Sequence, residues 1–137
     1  MSIEPTIDDA RNAPRGAFLG VVIASGIVGA TGVILAAMAA HRLDSPTLAT
    51  SATFLMVHAG AALAVAALAL QMQSSRRWLI TAGFMLAAVA LFSGAVAYHA
   101  VTGTHVFPRA APTGGALLIA SWCAIAVLGC LEALKKR

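Results

Sequence analysis

Charge is what this sequence has least of. Only 10% of its 137 residues are Asp, Glu, Lys or Arg, where a soluble chain averages about 25%. The acidic residues are Glu4, Asp8, Asp9, Asp44 and Glu132, and none interrupts an apolar stretch. With no buried carboxylate, neither a proton path nor an ion-coupled transport site is available. Cysteine is equally scarce. Cys123 and Cys130 lie seven residues apart, which on a helix is ~10 Å and beyond disulfide reach. Without a CxxC pair they carry no thiol metal site, and they read as small fillers of the helix core. Almost nothing remains outside the apolar stretches to form a soluble domain, so no ordinary active site fits and no enzyme is expected. No cofactor motif is present.

What the chain does have is four long apolar stretches, at residues 17–40, 49–70, 78–101 and 114–131. Each holds about 18 to 24 residues, enough at ~1.5 Å per residue to cross a ~30 Å hydrocarbon layer. The expected fold is therefore an all-α membrane protein, four transmembrane helices in an antiparallel up-down bundle. A polar tail (1–16) precedes the helical domain (17–134) and a basic end (132–137) closes it. Composition leaves the tail from 1 to 14 unstructured. The segment Ala37-Met38-Ala39 has the small residues of a signal cleavage site. The apolar region before it is too long for a signal and its flank is acidic, so the first span reads as a retained helix.

The net charge of +4 belongs to the tails and turns and is no nucleic-acid footprint. Arg11, Arg15, Arg76, Arg77, Lys135, Lys136 and Arg137 flank one side of the predicted bundle, against Arg42 and Arg109 on the other. The positive-inside rule then puts both termini in the cytoplasm.

The turns carry local signals. Asp44 or Ser45 can cap the second helix with Pro46 in its first turn. Trp78 reads as an interfacial anchor, as does Tyr98. The segment from Thr102 to Gly115 reads as a longer loop in which Val106 and Phe107 dip toward the interface and Thr113 caps span four. Glu132 reads as part of a solvated helix end.

Small residues are the means by which helices associate in lipid. Gly16, Gly20, Gly26, Gly29 and Gly32 make span one the expected packing face, with Ser93, Gly94, Gly114 and Gly115 contributing in spans three and four. Their partners are other helices of the same bundle, a second copy, or another membrane subunit. Thr81 reads as a weak helix–helix hydrogen bonder.

Histidine is the only ionisable type placed to lie within the bundle. His58 is twelve residues beyond Pro46, roughly 18 Å along the helix and near mid-membrane. A neutral imidazole is the cheapest ionisable group to bury, since its reference pKa is about 6.5 and burial favours the neutral form. The leading reading is an interhelical hydrogen bond. The alternatives are contact with a quinone or other small polar ligand, and haem or metal ligation. His41, His99 and His105 map to the opposite end from the termini, and His41 and His99 join His58 as candidate ligand contacts.

Several segments together are similar to one known family. Ala39-Ala40-His41-Arg42-Leu43, Val57-His58-Ala59, Leu91-Phe92-Ser93-Gly94, Thr102-Gly103, Ala111-Pro112-Thr113-Gly114-Gly115 and Trp122 resemble the motifs of the YgdD-like small inner-membrane proteins, domain-of-unknown-function family 423. The resemblance spans about residues 20–135. It departs at Ala39, where the family has Gly, and at Ser121, which replaces a Gly before Trp122. It implies the four-helix fold and a bacterial inner-membrane location, and no activity or cofactor. The expected role is that of a structural or accessory subunit, in a respiratory or other energy-transducing assembly. The alternative is a small-ligand protein for quinone, lipid or haem.

Overall fold

The computed structural model describes residues 7–43, 45–72, 75–104 and 108–135, with side chains from residue 15 onward. Expectations for Asp44, His105, Val106, Phe107, Lys136 and Arg137 lie outside the described residues. Helix α1 covers Ile7–Met38, α2 Pro46–Ala69, α3 Ser75–Thr102 and α4 Ala110–Lys135, with a π-helical turn Ala39–Leu43 closing α1. No strand occurs among the described residues. All four helices are long and apolar enough to cross a membrane.

Each helix begins before its apolar stretch, and α3 and α4 also run past its end. Nucleating a helix is the costly step and extending it adds one hydrogen bond per residue fixed. A helix imposed by the apolar stretch therefore continues outward. Residues 7–14 accordingly form helix where composition favoured an unstructured tail. Likewise α4 begins at Ala110, so Thr113 is an interior residue and not a cap, its amide donating to the Arg109 carbonyl at 3.0 Å. Pro112 is tolerated there because a first-turn residue needs no amide donor. Gly103 ends α3 with φ +69° and donates its amide to the His99 carbonyl at 2.8 Å, the left-handed C-terminal cap that glycine adopts without strain. At α2, Ser45 is the cap, its hydroxyl accepting from the Leu48 amide at 3.3 Å, with Pro46 in the first turn.

Helices α2 and α3 form the centre. Within their most apolar stretches 44% of positions are buried, against 17% for α1 and 11% for α4. Helix α1 packs on α2 and, less extensively, on α3; α4 packs on α3. Among the described residues, neither α1 nor α2 approaches α4 closely enough for Cα atoms to come within 8 Å.

Lipid removes the hydrophobic drive for helices to associate, so close fit must hold them. Two glycines supply it. A Cβ on Gly114 of α4 would lie 2.5 Å from the Phe92 amide nitrogen and 2.8 Å from its Cα. One on Gly32 of α1 would meet Met56 Cγ at 2.7 Å and the Ala52 carbonyl oxygen at 3.0 Å. Gly29 and Gly115 make ordinary contacts, whereas Gly16, Gly20, Gly26 and Gly94 face open space within the chain.

Trp78 is only 4% exposed and packs with Val21, Ala66, Ala69 and Leu79. It is a core residue and not an interfacial anchor, because the alanines of α1 and α2 leave room for a large side chain. Cys123 and Cys130 are free and exposed on α4, so the expectation of core fillers is corrected. Their helix is the least buried of the four. Lys135 pairs with Glu132 at 3.4 Å at the end of α4.

Candidate functional site

His58 lies at the middle of α2 and is 7% exposed. Its Nδ1 stands 2.8 Å from the Phe54 carbonyl of the preceding turn, and Nε2 stands 3.4 Å from the Trp122 indole nitrogen of α4. A carbonyl only accepts and an indole N–H only donates. Those roles assign the proton to Nδ1 and a lone pair to Nε2, so the ring is neutral and both nitrogens are engaged. Phe54 stacks on the ring at 5.6 Å and 17°, Phe92 lies 4.8 Å from Phe54, and Trp122 meets His58 edge-on at 6.1 Å and 67°. Three aromatic rings, one each from α2, α3 and α4, thus gather at His58: Phe54 and Trp122 touch the imidazole and Phe92 backs Phe54.

The other candidate histidines are elsewhere. His41 is exposed on the π-helical turn, and His99 is half-buried in the last turn of α3. Among the described residues no group of three or more His, Cys, Asp or Glu could hold a metal ion. Trp122 was invisible as a partner, since its distance from His58 in sequence, 64 residues, leaves no periodic signal.

Polar side chains elsewhere mostly serve their own helix. Thr81 donates to the Arg77 carbonyl at 3.0 Å and Ser121 to the Leu117 carbonyl at 2.8 Å. Ser51 reaches across instead: fully buried, it donates to the Ser93 carbonyl of α3 at 2.8 Å. The Ser93 hydroxyl itself is buried without a hydrogen-bond partner, as is that of Ser25.

A cavity of about 690 Å³ opens beside the C-terminal half of α3. Leu91, Gly94, Tyr98 and His99 of α3 line it with Thr47 of α2 and Pro112 of α4. His99 thereby faces a space of ligand size.

Residues 35–115 match the sequence profile of a family described as protein of unknown function, DUF423. No solved structure matches the chain. The matched segment runs from the end of α1 into α4 and takes in most of the motif residues, from Ala39 to Gly115, with Trp122 beyond it. With more than half of the 137 residues matched, this multi-pass membrane protein belongs to the DUF423 family, in keeping with its YgdD-like motifs.

Proposed function

We propose that the protein is a non-enzymatic structural or accessory subunit that packs α1 against another helix in a membrane assembly. The observation that carries this reading is the open glycine face of α1. Gly16, Gly20 and Gly26 have no atom within 4 Å of where a Cβ would stand, so their smallness is not used inside the chain. Small residues on an unused face let a foreign helix approach closely. The arrangement proposed is an antiparallel up-down bundle in a bacterial inner membrane with both termini cytoplasmic. Its support is that Val21 shares a cluster with Ala69 and Trp78, while Ala39 shares one with Leu48 and Ala97. The basic residues Arg15, Arg76, Arg77 and Lys135 then fall at one end, as the positive-inside rule favours for a cytoplasmic face. An energy-transducing complex is the proposed host.

Gentle solubilisation followed by native mass measurement tests this. The expected result is a species heavier than one chain that Gly20→Leu returns to monomer. A monomer without co-purifying protein overturns it. A ligand role centred on His58, His41 and His99 has less support, because both ring nitrogens of His58 are engaged and the three side chains occupy separate surroundings.

A further inference from the structure

The cavity beside α3 has a polar end and an apolar end. Leu91 and Gly94 line its inner part, and Tyr98, His99 and Thr104 its outer part, with Thr47 across from them on α2. Leu91 and His99 are eight residues apart, roughly 12 Å along the helix. The polarity therefore changes along the same axis as in the bilayer, from hydrocarbon to headgroup.

Two hydroxyls define what the polar end recognises. Thr102 gives its proton to the Tyr98 carbonyl at 2.8 Å, so Thr104 must be the donor in the Thr102–Thr104 contact at 2.9 Å. The Thr104 oxygen is left with lone pairs to accept a hydrogen bond. Thr50 and Thr53 donate to the carbonyls of Pro46 and Ala49, four residues back. Thr47, the second residue of α2, has no α2 carbonyl at that spacing, and its hydroxyl is available to donate. Among the described residues that line the cavity none is Asp, Glu, Lys or Arg, and an uncharged head needs no counter-charge from them.

Gly94 supplies an independent observation. It lies inside α3, its φ is not positive, and no neighbour stands within 4 Å of a Cβ built on it. Neither backbone geometry nor helix packing requires a glycine, which weakens a helix relative to alanine. Because Gly94 lines the cavity, a side chain there would take up part of its space.

We propose that this cavity binds an uncharged amphiphile, its hydroxyl- or carbonyl-bearing head between Thr47 and Thr104 and its apolar chain over Gly94 and Leu91. A volume of about 690 Å³ suits a single head and the start of one chain, within the usual ~300–1,000 Å³ of small-molecule sites. Two membrane lipids share this chemistry, an acylglycerol and a prenylated quinone. The site is separate from the α1 face, so it stands whether or not that face has a partner.

The test is a binding titration by native mass spectrometry with dioctanoylglycerol, with decylubiquinone, and with dioctanoyl phosphatidylglycerol, which adds an anionic head to the same acyl chains. Saturable one-to-one binding of a neutral probe is expected, and whichever binds identifies the source. Gly94→Phe, which projects a ring into the cavity from a position where an added Cβ meets no atom, should abolish that binding. Gly129→Phe, at an equally open glycine away from the cavity, should leave it unchanged. Thr47→Val, at an exposed position, should weaken it about tenfold and reports even if Gly94→Phe does not fold. Failure of both neutral probes to saturate, equal binding of the anionic lipid, or undiminished binding by a folded Gly94→Phe overturns the proposal.

Discussion

The indole N–H of Trp122 donates to Nε2 of His58 across 3.4 Å and so joins α4 to α2, two helices whose backbones do not otherwise approach. Long side chains reach where the backbones stay apart. The bond requires a lone pair on Nε2, since only an unprotonated ring nitrogen can accept the indole proton.

Removing either partner should therefore loosen α4 specifically. His58→Ala and Trp122→Phe are each expected to destabilise the fold, and together by less than their sum. The coupling between them should be about 0.6 kcal/mol, the average for interhelical hydrogen bonds in membranes. Unfolding of the two single variants and the double variant in mixed detergent and dodecyl sulfate micelles measures it.

Glycine substitutions should divide by what the added methyl meets. Gly114→Ala pushes a Cβ onto the Phe92 backbone, which cannot rotate away, and should cost about 1–3 kcal/mol. Gly32→Ala should cost less, because its one contact under 3.0 Å is to Met56 Cγ and the Ala52 carbonyl oxygen stands at 3.0 Å, where Gly114 would meet the Phe92 backbone at 2.5 Å. Gly60→Ala, with nothing within 4 Å, should be neutral or stabilising by up to about 1 kcal/mol. The same unfolding assay ranks them.

Ser51 and Ser93 meet across α2 and α3 but should respond oppositely. Ser51→Ala removes the donor to the Ser93 carbonyl and should lose about 1 kcal/mol. Ser93→Ala removes a buried hydroxyl that has no partner and leaves that carbonyl in place, so stability should hold or rise. Detergent melting midpoints of the two variants give the signs.

The two tryptophans should be separable by light. Trp122 is 47% exposed and Trp78 only 4%. Brominated lipids should quench Trp122 fluorescence strongly and Trp78 weakly. In Trp122→Phe most of the quenchable signal should disappear, while Trp78→Ala should leave it and cost about 3–5 kcal/mol through the void it opens.

These contrasts mark what the sequence could and could not reveal. Apolar run length located all four helices, and Ser45-Pro46 located the start of α2. Helix ends were harder, because α4 starts at Ala110 within a Gly- and Pro-rich stretch that reads as loop. Exposure was harder still. A helix in lipid can be apolar on every side, so periodicity does not separate the face toward α3 from the face toward lipid. Hence Trp78 read as interfacial and the cysteines as core, and the structure reverses both. The cavity had no linear signal, since Thr47, Gly94 and Thr104 come from separate segments.

Because no Cα of α1 comes within 8 Å of one in α4 among the described residues, the helix backbones do not close into a ring. A ring is complete at a fixed number. An open bundle keeps an uncovered side, finished by acyl chains much as an uncovered sheet edge is finished by solvent. A foreign helix of the assembly proposed above would seat on α1 without disturbing the α2–α3 pair at the centre.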